Sequence, residues 1–327
     1  MDLEKKNVAI IILNYRGFED TIKCLHSAKL QEYKSYDIFV VDNDSGDGSY
    51  ERILTECGIL SPQKMSHDRV CRYGVKIDKS VSLYIIKTVY NGGFAYGNNA
   101  GIEFAKTIKD YKYFLLCNND LILSSDTLQT LIDDIESPSS ANNNVGLIGA
   151  KLNYWHDPSK IQAIAGTYQP LIARSTHITS HASLTLPLIQ QHSPFDYPIG
   201  ACMLVTNTLI ESIGLLSEDY FLYFEELDYV KRANQVGITF AISTRSTILH
   251  KEGASIGSSS LGNKSISALA DFHLLKGRLI FTKKFYPKYI FSVLILHFVN
   301  IFRRLFRGEF LKSYNAIKSI RVLFHEK

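Results

Sequence analysis

Apolar residues cluster along this chain in short runs rich in Val and Ile, at 8–13, 37–41, 81–87, 112–117 and 145–150, and each run predicts a strand. The runs are continuous rather than alternating with polar residues, so both faces of each strand are expected to be covered. Between them, 18–31, 49–57, 94–109 and 124–135 carry helical spacing. The resulting β-α-β-α order predicts an α/β fold, a mainly parallel sheet flanked by helices.

Two stretches interrupt this rhythm: 61–80, read as an insertion before the third strand, and 137–144 (SPSSANNN), read as a loop. Across 154–197 four prolines, with Pro198 immediately after, lie among Ser, Thr and His, which predicts irregular structure with short strands. Regular patterning resumes with a strand at 199–206, a helix over 226–236, and strands at 238–242 and 247–250. The Gly- and Ser-dense segment 251–265 that follows reads equally as a lid over a site or as a linker.

At 327 residues with 46% hydrophobic and 21% charged positions, the chain has the composition of a folded globular protein and enough length for a large core. Its five cysteines (24, 57, 71, 117 and 202) are scattered, without a C-x-x-C pair, so no disulfide framework or zinc cage is expected and a reducing cytoplasm is the expected compartment. The first apolar run is shorter than a signal-peptide core. Charge is uneven: residues 271–327 hold 12 Lys/Arg against 3 Asp/Glu, within a total of only +4.

Ligands of an open parallel sheet bind beyond the carboxyl ends of its strands. Here the residues after four predicted strands are polar: Asn14-Tyr15-Arg16-Gly17, then 42–48 (DNDSGDG), then Asn91-Gly92-Gly93, then Asn118-Asn119-Asp120. The 42–48 turn offers carboxylates to a base or ribose and backbone N–H groups to phosphate, although the same residues also make ordinary turns. Gly93, Gly97 and Gly101 do not form G-x-G-x-x-G, and no G-x-x-x-x-G-K-[ST] occurs, which argues against dinucleotide-hydride and P-loop chemistry. Asp120 has the hard oxygen ligands that Mg²⁺ or Mn²⁺ prefers, or is a turn residue. Glu225, Glu226 and Asp228 crowd behind an aromatic stretch, which suits a general base with a raised pKa, or is an acidic first helical turn. His250 ends a strand, as a metal or phosphate contact or as a structural histidine.

In order, AIIILNYRG, VVDNDSGDGS, NGGFAYGNNAGI, FLLCNND, GACMLVTN and FLYFEELDYVKRANQVG followed by ILH resemble the family 2 glycosyltransferases of the GT-A fold, the bacterial rhamnosyltransferase-like branch, over roughly residues 7–255. The resemblance implies a GT-A catalytic domain over 1–265. It implies contacts to a dTDP- or UDP-sugar from Asn14, Arg16, Asp42, Asn43, Ser45, Asn98, Asn118 and Asn119, and a divalent cation, Mg²⁺ or Mn²⁺, held by Asp120 and His250. The family's D-x-D motif is here Asn118-Asn119-Asp120, which leaves Asp120 as its main ligand. The family's E-D-x-D is here Glu225-Glu226-Leu227-Asp228, with Glu where the family usually has Asp, which makes Glu226 the implied catalytic base, or Glu226 with Glu225 sharing the role. The implied reaction is single displacement with inversion, transferring a sugar, rhamnose first among candidates, to a saccharide or lipid-linked saccharide acceptor in surface-polysaccharide synthesis. The competing reading is a catalytically silent nucleotide-sugar-binding scaffold, and nucleotidyl transfer is a further enzymatic one.

The basic tail, 266–327, contains a 14-residue apolar stretch, YIFSVLILHFVNIF, shorter than the ~20 residues that span a bilayer. It reads as interfacial helices drawn to anionic lipid on the inner face of the plasma membrane, or as a helical cap on the catalytic domain. Its aromatics are not interleaved with Arg and Lys, which argues against a nucleic-acid partner.

Overall fold

The apolar runs do become a buried sheet, and the alternation of their side chains assigns each residue to one of two covering layers. Residues 8–65, 67–77, 81–180, 188–190, 195–251 and 267–324 are described in the computed structural model. The first half of the chain runs β1 (Val8–Asn14), α1 (Phe18–Lys29), β2 (Tyr36–Asp42), α2 (Ser49–Glu56), β3 (Gln63–Lys64), β4 (Val70–Lys76), β5 (Leu83–Thr88), α3 (Phe94–Ile108), β6 (Tyr113–Asn118), β7 (Leu121–Leu123), α4 (Thr127–Ile135) and α5 (Pro138–Asn142). It continues with β8 (Val145–Tyr154), β9 (Ile161–Ala163), β10 (Ala165–Gln169), β11 (Arg174–Ile178), β12 (Leu188–Gln190), β13 (Cys202–Thr206), α6 (Asn207–Ile213), α7 (Glu225–Gln235) and β14 (Thr239–His250). Three helices close the chain: α8 (Ala268–Phe285), α9 (Ile290–Phe306) and α10 (Phe310–Ser319).

Among the described residues the main sheet has the order β12-β14-β8-β13-β6-β1-β2-β5-β4-β3, with β7 on β14 and β9 on β8. β6, β1, β2 and β5 are mutually parallel, which puts Asn14, Asp42, Thr88 and Asn118 at one edge. Ala9, Ile11, Phe39 and Val41 face a layer built from α3, α7 and α8, while Val8, Ile10, Ile12, Ile38 and Val40 face α1, α2 and α4. Gly97 and Gly101 let α3 lie close on this sheet, since a Cβ at either would stand 2.3 Å from Leu13 or 2.6 Å from Ile11.

The structure adds order where the sequence pattern predicted little. The 61–80 segment contains β3 and β4, an antiparallel edge beside β5. Within SPSSANNN, Ser137 Oγ accepts from the Ser140 N–H and Pro138 occupies the first turn, so the presumed loop opens as the short helix α5. The two strands read at 238–250 are one, β14, which changes register against β8 between Ser243 and Ile248. The 251–265 segment lies almost wholly outside the described residues.

The tail divides between its two readings. Helix α8 is a cap: Leu279 and Phe281 belong to the main core. Helices α9 and α10 bury only a stripe each, Val293, His297 and Ile301 on one and Ser313, Ala316 and Ser319 on the other. The opposite surface exposes Phe291, Ile295, Phe298, Phe302, Phe310 and Leu311. The 14-residue stretch is part of a longer unit, Pro287–Phe306, whose 20 residues are by length and composition enough to cross a membrane. The helical unit is thus longer than the apolar stretch read from the sequence, starting at Pro287 and continuing through Arg303 and Arg304 to Phe306. What distinguishes it from a free span is the stripe packed on the protein, fastened by His297 Nε2 to the Ala316 carbonyl at 2.9 Å and by a bidentate Arg304–Asp271 pair at 2.7 Å.

Candidate active site

Beyond β1 and β2 the polar turns interlock. Asn14 Nδ2 donates to Asp42 at 2.7 Å, and Asn14 Oδ1 accepts from the Gly17 N–H, the Thr21 hydroxyl and Asn119 Nδ2. Ser45 donates its hydroxyl to Asp42 at 2.6 Å and accepts from the Arg16 N–H. Arg16, with a left-handed φ of 54°, also donates Nε to the Ser45 carbonyl, leaving its guanidinium at the exposed rim. Burial pushes the Asp42 carboxyl upward against the hydrogen bonds that favour its charge. Asn14, Asp42, Ser45 and Asn119 thus hold the shape of the loops, and Arg16 is the member of this group that reaches outward.

Asn43 fastens the next loop, donating to Asn91 Oδ1 and the Gly93 carbonyl and accepting from the Thr88 hydroxyl. Gly93 has φ +91°, and a Cβ there would stand 2.1 Å from the Phe221 carbonyl oxygen, which accepts the Phe94 N–H. Only glycine fits this junction. One turn into α3, Asn98 is 1% exposed, donates Nδ2 to the Phe94 carbonyl and keeps a buried Oδ1 without a hydrogen-bond partner. Asn118 ends β6, its N–H bound to the Ala201 carbonyl.

β14 returns to pair with β7, His250 opposite Leu121, and this brings His250 beside Asp120. His250 Nε2 lies 3.3 Å from Asp120 Oδ1, and that buried oxygen has no hydrogen bond. On the other side of the ring, His250 Nδ1 meets Gln162 Oε1 at 2.7 Å. With Nδ1 donating to Gln162, Nε2 presents a lone pair toward Asp120, and an oxygen and a nitrogen both bearing lone pairs at this separation fit a shared cation. No cluster of three or more His, Cys, Asp or Glu side chains gathers for a metal among the described residues. Two protein donors completed by substrate phosphates and water is the arrangement Mg²⁺ commonly takes. Gln162 carries no signal in the sequence, because it reaches the site through β9.

Helix α7 begins with the acidic turn. Tyr223 and Phe224 precede it with φ of 70° and 77°, a strained entry for two aromatic residues. Glu225 is 2% exposed, and burial, then the neighbouring Glu226 charge, raises its pKa. Glu226 is partly accessible, its carboxylate lying over Gly200, and loss of hydration pushes its pKa up to about 7. An accessible carboxylate that holds its proton until neutrality is suited to general-base work. Asp228 is a different object, fully buried and bound by Tyr220, Arg232 and Lys284.

The sequence profile described as glycosyl transferase family 2 matches residues 9–183. The chain belongs to that family. It is 26% identical over 237 residues to the low-salt glycan biosynthesis hexosyltransferase Agl10 of Haloferax volcanii, a match covering 71% of this chain and 63% of that protein. To the rhamnosyltransferase WbbL of Escherichia coli K12 it is 25% identical over 234 residues, 71% of this chain and 78% of the relative. The chain thus spans less than two thirds of Agl10. Among solved structures it is similar to the mannosyltransferase PcManGT of Pyrobaculum calidifontis in complex with GDP-Man and Mn²⁺, with TM-score 0.52, 12% identity and coverage of 98% of this chain and 76% of that one. TarS 1-349 of S. aureus in complex with UDP-GlcNAc gives TM-score 0.52, 12% identity and coverage of 97% and 81%. The fold of this family member is GT-A.

Proposed function

We propose that the chain is an inverting glycosyltransferase moving a sugar, rhamnose in the first instance, from a dTDP- or UDP-linked donor to a saccharide or lipid-linked saccharide acceptor in surface-polysaccharide synthesis. The observation that carries this reading is Glu226 in a chain of family 2, a partly accessible carboxylate set over Gly200 and pushed up to about 7 by loss of hydration. Arg16 offers the donor a cation, on loops shaped by Asn14, Asp42, Asn43, Ser45, Asn118 and Asn119, and Asn98 in α3 an acceptor without a partner in the protein. Asp120 and His250 would hold the cation, which when bound offsets negative charge on the diphosphate.

Glu226 takes the proton from an acceptor hydroxyl as its oxygen bonds to the anomeric carbon. The bond from that carbon to the diphosphate breaks, and nucleoside diphosphate leaves with the electron pair. Attack opposite the leaving group inverts the anomeric configuration. The similarity to a rhamnosyltransferase supports rhamnose as the first sugar to try. Residues 1–265 form the catalytic domain in this reading. The tail, 266–327, holds it to the inner face of the plasma membrane through the exposed apolar surface of α9 and α10 and the neighbouring Lys and Arg.

The test is release of nucleoside diphosphate from a panel of nucleotide sugars with Mg²⁺ or Mn²⁺, with and without a lipid-linked acceptor. Release from one donor that Glu226→Gln abolishes is the expected result. Donor binding without release under every condition would favour the silent scaffold instead.

A further inference from the structure

Helix α8 lies beyond the region matched by the family profile, yet one stripe of it is packed against the turn that carries Glu226. His273, Gly277, Phe281 and Lys284 recur every three or four residues and so share a face of the helix. Phe221 stacks on His273 with ring centres 4.3 Å apart. Phe224 lies over Gly277, where a Cβ would stand 2.8 Å from its ring, and packs on Phe281 at 5.4 Å. Lys284 Nζ reaches Asp228 at 2.6 Å. Residues 221, 224 and 228 are thereby pinned to α8, and Glu226 sits between the last two.

We propose that Lys284 is a positioning residue for Glu226, holding the first turn of α7 in place through Asp228. The proposal rests on the reading of Glu226 as the base. Asp228 is 0% exposed and receives Arg232 Nε at 2.6 Å and the Tyr220 hydroxyl at 3.1 Å as well as Lys284. Tyr220 and Arg232 flank the turn in sequence, and Arg232 also binds the carbonyls of Ile213 and Leu215. One cation already balances the Asp228 charge. Lys284 comes from a separate element, so what it adds is a fixed separation between α8 and α7. That restraint matters because Tyr223 and Phe224 hold left-handed conformations that relax unless their surroundings over-determine them. Relaxation would turn the helix start and move the Glu226 carboxylate away from its place over Gly200.

The experiment compares the full chain with Lys284→Met and Lys284→Arg by release of nucleoside diphosphate and by hydrogen exchange across 220–230. Lys284→Met is expected to lower kcat by about 10- to 100-fold, as a displacement on the order of 1 Å does, with donor KM within about twofold. Exchange across 220–230 should quicken in the same variant, and Lys284→Arg should restore most of both. Lys284→Gln replaces Lys284→Met, with the same expectations, if the latter does not fold. Unchanged kcat and unchanged exchange would overturn the proposal, as would a parallel change in kcat and donor KM. If the wild-type chain releases nothing from any donor, the transferase reading falls by itself. Exchange then decides whether Lys284 pins the turn, and unchanged protection would refute it.

Discussion

Asp120 and His250, one directly before β7 and the other at the end of β14, present Oδ1 and Nε2 to each other at 3.3 Å. Neither neighbour in the chain creates this pair. It exists because β14 turns back along the far half of the sheet and pairs with β7, while Gln162 fixes the other side of the imidazole. A histidine oriented in this way by a second hydrogen bond is prepared to donate a lone pair.

Cation binding follows from this geometry. Titration of the protein with Mn²⁺ in the presence of a nucleoside diphosphate should show Asp120→Asn and His250→Ala each weakening apparent affinity by about tenfold or more, and Gln162→Leu weakening it by about tenfold. Equal affinity in all four proteins would place the cation elsewhere.

The pH dependence has two arms with opposite signs. Ionised Glu226 is the active form, so kcat should rise with pH through about 7, and Glu226→Gln should cost roughly 100-fold or more. Stability should move the other way. The folded state holds the Glu226 proton more tightly than the unfolded chain, whose value is near 4.5, so stability is lost as pH rises from there through about 7. The loss is on the order of 3 kcal/mol, and urea denaturation of Glu226→Gln should show a flatter pH profile over that window.

Gly93→Ala tests the junction between α3 and the turn before α7. The substitution combines a φ of +91° with a Cβ 2.1 Å from the Phe221 carbonyl oxygen, and it should lower unfolding stability by about 2 kcal/mol or more. A urea midpoint equal to that of the wild type would mean that the junction yields freely.

Membrane attachment is testable by sedimentation with vesicles. Vesicles rich in anionic phosphatidylglycerol should retain the protein better than neutral phosphatidylcholine, and salt should weaken retention. The double substitution Phe291→Asp and Phe302→Asp, both on exposed positions of α9, should release it with the catalytic core still folded. Failure to bind either vesicle would leave the apolar surface of α9 and α10 for another occupant.

Much of this arrangement is legible along the chain. Local pattern determines the parallel half of the sheet, because runs such as 8–13 and 37–41 are apolar on both faces and only a two-sided cover can bury them. It also marks the polar strand ends and the acidic turn, since Asn14, Asp42, Asp120 and Glu226 follow apolar segments at recognisable spacing. The tail is legible as basic and apolar, but its division into a cap and an exposed pair of helices is not.

What tertiary structure decided are the relations between segments far apart in the chain. The carboxylate of Asp120 is a turn residue until β14 brings His250 to it. Three acids in the first turn of α7 look alike in sequence, yet Asp228 is paired with two cations, Glu225 is sealed in the core, and of the three Glu226 remains accessible, its pKa pushed up to about 7. Periodicity reports which face of an element is apolar. Burial, partner charge and the separation of one element from another arise only when the elements pack, and those quantities set the chemistry of a carboxylate.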